Sequence, residues 1–148
     1  MKVMKMLLTG LLVLIVLLLA GGAVRGWQSQ TQPELGLIDG QLRICPDKPN
    51  CVSSQADADD DIHAIAPISG TDWQALKQAI GAAGGKIMQD DGHYLHVTFT
   101  SSLFRFVDDL EALRADAEGV IHVRSASRVG YSDLGVNRKR VEAVRAKL

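Results

Sequence analysis

The apolar positions along this chain fall into three patterns. The first is an unbroken run over 6–24, behind Lys2 and Lys5, interrupted only by Thr9 and a few glycines. At helical rise the run reaches about 28 Å, close to the hydrocarbon thickness of a bilayer. It has no polar face to show to water, so it is expected in lipid. The second pattern is helical spacing. Trp73, Leu76, Lys77, Ile80 and Ala83 lie on one helix face, with Thr71 or Asp72 as the cap and Gly84-Gly85 as the stop. A last helix is predicted over 137–148, with Val141, Val144 and Leu148 buried. Asn137 is its expected cap, and Val136 would staple to Val141. The third pattern is alternation. Leu95, Val97 and Phe99 take one face of a strand over 94–100, and Tyr94, His96, Thr98 and Thr100 the other. Weaker strands are predicted over 63–68, 86–89, 104–113 and 120–127, with turns at Asp91-Gly92 and over 115–119. The order β-α-β-β-β-β-α gives an α+β fold, in which an antiparallel sheet of about five strands has two helices on one face.

These elements divide the chain into 1–25, a signal peptide or transmembrane anchor; 26–41, a polar linker; and 42–148, a single domain large enough for one core. The leader has two possible fates. It is cut near Ala20, Gly21, Gly22 and Ala23, or it is retained as an anchor. Its length and the flanking Arg25 and Trp27 favour retention. No cysteine follows the run closely, which excludes a lipoprotein anchor. Positive charge at the start keeps the N-terminus in the cytoplasm and sends the domain across, so the expected location is a bacterial cell envelope, on the periplasmic side.

The formal net charge of −1 argues against nucleic acid as a partner. It conceals an asymmetry: 45–123 carries five Lys/Arg against thirteen Asp/Glu, whereas 124–148 carries seven against two. The basic end is expected to pack on the acidic middle.

The two cysteines, Cys45 and Cys51, enclose five residues with two prolines. In an exported chain such a pair reads as a disulfide. A redox pair would prefer two intervening residues. A metal site would need two more ligands nearby, and no metal or cofactor is implied. Asp57, Asp59 and Asp61 half resemble a calcium loop, but Ile62 and Ile68 stand where Gly and Glu are required. A solvated turn fits better.

Candidate chemistry concentrates in two polar stretches: Asp108, Asp109 and Glu111 on one strand, and Arg124, Ser125, Ser127 and Arg128 on the next. A symmetric hairpin about Asp116 would set Asp108 opposite Arg124, although a slip of one residue would break that pairing. Arg138, Lys139 and Arg140 crowd the first turn of the last helix, where cations oppose the helix dipole. A carboxylate from the sheet or a bound anion should compensate. Enzyme readings are weaker. A triad from Ser125 or Ser127, His96 or His122, and Asp108 has no local signature behind it. His93 and His96 point to opposite strand faces, and so do Asp108 and Asp109.

Three stretches together carry a family resemblance: Cys45-Pro46 through Pro49-Asn50-Cys51-Val52-Ser53-Ser54, Phe106-Val107-Asp108-Asp109-Leu110-Glu111, and Arg124-Ser125-Ala126-Ser127-Arg128 through Asn137-Arg138-Lys139-Arg140. The chain resembles the domain of unknown function 1499 family over 42–148. The resemblance implies a small bacterial or plastid protein, often behind a targeting or membrane segment, and implies no activity.

Three functions are consistent with these readings. The leading one is a non-enzymatic envelope domain, held to the membrane by its N-terminal helix. Its site of Asp108, Asp109, Glu111, Arg124, Ser125, Ser127, Arg128, Asn137, Arg138 and Arg140 would bind a small anionic group or a partner protein. The alternatives are an envelope hydrolase or transferase built on the same cluster, and a scaffold whose basic helix contacts lipid headgroups.

Overall fold

Four antiparallel strands form the centre of the domain, and their alternating side chains decide what covers each face. The computed structural model describes residues 2–148. The elements run α1 (Lys2–Gln28), β1 (Leu37–Ile38), β2 (Gln41–Leu42), β3 (Cys51–Ser53), β4 (Ile68–Ser69), α2 (Trp73–Ala82), β5 (Lys86–Asp90), β6 (Tyr94–Thr100), β7 (Val107–Ala115), β8 (Val120–Ser127) and α3 (Val136–Arg145). The main sheet has the order β3-β8-β7-β6-β5, with β4 also paired to β8. β1 and β2 form a separate hairpin. This is the expected α+β class, with six strands in the sheet.

The helix face of the sheet carries Leu95, Val97, Phe99, Leu110, Ala112, Ile121 and Val123. These pack with Trp73, Leu76, Ala79 and Ile80 of α2 and Val141 and Val144 of α3 in one core. Asp72 caps α2 by accepting from the Ala75 N–H. Gly85, just after the helix, lies so close to Ile80, Val97 and Phe99 that an added Cβ would meet each within 2.8 Å.

The opposite face is not open to water. The stretch before the cysteine loop lies across it. Leu42 packs on Tyr94 and Leu113, and the Gly36 N–H donates to Glu111 on β7. Two strand expectations change. The stretch 63–68 is not a strand: Ala64 makes one isolated bridge to Ser53, and pairing begins at Ile68. The strand expected over 104–113 starts at Val107, because Arg105 adopts a positive φ of 55° and the preceding residues form a loop.

The β7–β8 register also differs. Asp108 faces Ser127, and Glu111 faces Arg124. β7 runs two residues past Leu113, and the turn is tied by Glu118 N–H to Ala115 O and Gly119 N–H to Asp116 O. Its centre therefore moves beyond Asp116, and every pair shifts with it.

α1 is long and apolar enough to cross a membrane, with a mean hydropathy of 2.7, and its apolar window is not buried by the domain. Its last turn does reach the domain. Gly26 is buried against the Phe104 carbonyl, and Ser29 is fully buried.

Candidate functional site

The two faces of the sheet split the expected cluster into two networks. On the face away from the helices, Asp109 and Glu111 project from β7. Asp109 accepts from Arg128 twice, Nε at 2.8 Å and Nη2 at 2.7 Å, and from His96 Nε2 at 2.8 Å. The free end of Arg128 donates through Nη1 to the carbonyls of Ser29 and Gln30. Burial alone would push the Asp109 carboxyl up. Hydrogen bonds from Arg128 and His96, together with their charge, outweigh it and hold the carboxyl below the usual range. Glu111 is fully buried. It accepts from Tyr94 Oη at 2.7 Å, from the Gly36 N–H at 2.8 Å and from Arg124 Nη1 at 2.9 Å. Burial, and then the neighbouring Glu111, push the Tyr94 phenol pKa up. Each buried carboxylate is thus paired and hydrogen-bonded, which is the condition for tolerating buried charge.

On the helix face, Arg140 Nη2 donates to Asp108 at 2.5 Å, and its guanidinium stacks 4.8 Å from the Phe99 ring centroid. Arg140 also donates to Ser125 and Asn137. Asn137 does not cap α3. It lies one residue inside the helix, fully buried, and donates to the Asn50 carbonyl, Ser127 Oγ and Asp133, while its own oxygen accepts from Ser125. The N-terminal N–H groups are served by Asp133, which accepts from Gly135 and Asn137. Val136 is exposed, so it makes no buried staple. Asp133 supplies the negative charge that the helix dipole requires, and sequence spacing did not single it out. Arg138 turns away from the cluster to the carbonyls of Ala64, Asp61 and Ile62.

This division bears on catalysis. His96 and His122 project from the face opposite Ser125, Ser127 and Asp108. His96 is engaged with Asp109, and His122 lies 3.1 Å from both Ser54 Oγ and Glu118. No proton can pass from either serine to either histidine through the sheet. The Ser54 hydroxyl also accepts from the Val123 N–H, which extends the strand ladder by one side-chain bond. Among the described residues, no three His, Cys, Asp or Glu side chains gather as a metal site. Asp60, in the acidic turn, accepts from the Ile62 and His63 N–H groups and from the His63 ring, so it shapes its own turn.

Cys45 and Cys51 are joined as a disulfide. The loop between them is anchored through Asn50, whose carbonyl accepts from the Ser127 N–H and from Asn137. Between this loop, the β1–β2 hairpin and the non-helical sheet face lies a cavity of about 400 Å³. Pro33, Leu35, Ile38, Ile44 and Pro46 line it with Arg43, Arg124, Arg128, Asp109 and Glu34, whose carboxylate lies 3.5 Å from Arg43 Nη1. Arg43 and Arg124 each keep a buried Nε with no hydrogen-bond partner. Arg43 was not among the residues that sequence reasoning picked out. It is a single charge between Leu42 and Ile44, and only the fold of the hairpin brings it to the sheet.

The family model described as Protein of unknown function (DUF1499) matches residues 41–148. No curated protein and no solved structure matches the chain. The match covers the cysteine loop, the acidic strand β7, the Arg-rich strand β8 and α3, the segments that build both networks; the chain belongs to the DUF1499 family of proteins of unknown function.

Proposed function

We propose that the chain is a membrane-anchored envelope domain, lying on the extracytoplasmic side, that binds a small anionic group in the cavity between its β1–β2 hairpin and its sheet. One observation carries this reading: Arg43 and Arg124 line the same cavity, and each has a buried Nε–H without an acceptor. A buried donor left unmade costs about 1–3 kcal/mol, and a small rotation of either guanidinium onto an anion bound in the cavity would remove that cost. A carboxylate or phosphate offers the paired oxygens that guanidinium groups match. The apolar walls suit a ligand with a small hydrocarbon portion. The other charges of the expected site are engaged internally; Asp109 and Arg128 form part of the cavity wall, and Asp108, Arg138 and Arg140 lie away from it. Charge pattern and cysteine use support the location: the leader begins with Lys2 and Lys5, and the domain carries a disulfide.

The test is a thermal melt of the full chain in detergent micelles, with inorganic phosphate and with citrate. A ligand at about 100 times its Kd adds about 2.7 kcal/mol to the folded state, so the expected result is a Tm rise of several degrees with one of them. Arg43→Gln should abolish the rise and leave the ligand-free Tm nearly unchanged. A flat response to both anions, or an equal response of Arg43→Gln, would sink the reading.

A further inference from the structure

The loop joining β6 to β7, residues 101–106, runs alongside the end of α1. A Cβ placed on Gly26 would sit 1.8 Å from the Phe104 carbonyl oxygen, and one on Gly22 would sit 2.7 Å from the Phe104 ring. The Phe104 carbonyl is therefore level with Gly26 and its ring with Gly22, one helical turn further toward the N-terminus. Gly22 lies inside the apolar run that continues to Val24. A bilayer that covers that run also covers the Phe104 ring. Leu103, the neighbouring residue, is 75% exposed.

The loop is held there. Ser29 Oγ accepts from the Val107 N–H, and Gln30 Nε2 donates to the Arg105 carbonyl at 2.7 Å. Phe104 packs edge-on against Phe106. The neighbouring β8–α3 loop shares a cavity with Arg25, and it carries Tyr131 and Leu134, 72% and 86% exposed. Exposed apolar side chains thus lie on the two loops that meet the end of α1. They match an interfacial belt, where apolar bodies enter lipid and polar tips stay in water.

We propose that the β6–β7 loop is a second membrane contact, whose tip enters the lipid beside α1 and sets the tilt of the domain on the surface. The inference goes beyond the anion cavity and rests only on α1 lying in lipid. α1 then acts as a docked post and not as a tether, and the cavity keeps a set height above the bilayer.

The test is tryptophan quenching in phosphatidylcholine vesicles whose acyl chains carry bromine. The full chain with Trp27→Phe keeps only Trp73, which is buried in the core. Into it go Leu103→Trp, Leu14→Trp in the middle of α1, or Ala117→Trp at the far end of the β7–β8 hairpin. Leu14→Trp and Leu103→Trp should both lose several-fold more added fluorescence than Ala117→Trp. If Leu14→Trp is quenched and Leu103→Trp matches Ala117→Trp, the loop stays in water and the proposal is wrong, while the anchor stands. If Leu14→Trp also matches Ala117→Trp, the helix is not in lipid and the proposal falls with its premise.

Discussion

Glu111 is a carboxylate with no access to water, and three donors compensate for that: a phenol, a backbone N–H and a guanidinium. Removing its charge leaves Arg124 buried with little in return. Breaking a buried ion pair from one side costs about 3–5 kcal/mol, so Glu111→Gln should lower the unfolding free energy of the full chain in detergent by that amount. An effect below about 1 kcal/mol would mean that the pair is solvated in solution. Asp90 provides a pH prediction. Hydrogen bonds from Lys77, then Trp73, then the Gly92 N–H lower its carboxyl from the ordinary value of 3.8 to about 2. A depressed carboxyl stabilises the fold above its unfolded pKa, and that contribution is lost as pH falls through its folded pKa. The parent should therefore lose part of its advantage over Asp90→Asn as pH falls from about 4 to about 2, as read from paired melts. A gap that stays constant across that window would contradict the assignment.

The elements most legible in the sequence are those with unbroken period. β6 alternates across the whole of Tyr94–Thr100 and is found there, and α2 begins at the expected Trp73 behind its Asp72 cap. β3 is different. Cys51, Val52 and Ser53 are all buried, so three residues offer no alternation to read. α3 was expected to start with an Asn137 cap, because Asn in that position commonly caps. The left-handed Gly135 and the two N–H bonds that Asp133 accepts provide the start instead, and they leave the Asn137 side chain to join α3 to β8 and the cysteine loop. Asn137→Ala should leave several of these buried groups unpaired, each costing about 1–3 kcal/mol, and lower stability by at least 2 kcal/mol in a denaturant titration. At the end of α1, Gly26→Ala cannot fit against the Phe104 carbonyl. The Val107 amide, held by Ser29, should then exchange its hydrogen faster while the Val97 amide in the core stays protected. Equal protection of Val107 in both forms would show that the helix end does not depend on that contact.

At the scale of the whole molecule, the disulfide is a staple of the cavity wall more than of the fold. The chain-entropy model assigns a loop this short about 2 kcal/mol. Cys45→Ser with Cys51→Ser should therefore lower the Tm by several degrees and still leave a cooperative transition. Loss of cooperativity would assign the bond a global role. The same replacement should weaken the anion response, because Ile44 and Pro46 wall the cavity beside Arg43. The sequence by itself determined the lipid-seeking helix, the α+β class, the disulfide partners and the segments rich in charge. These follow from local period, composition and spacing, which a chain carries before it folds. Only the tertiary structure decided that the acidic strand serves two separate networks, because the two faces of a strand diverge and the hairpin register sets which partner each carboxylate meets. It also decided that the stretch after α1 covers the second face of the sheet. That role depends on contacts between residues about 75 positions apart, such as Gly36 with Glu111 and Gln30 with Arg105, and no local pattern encodes them.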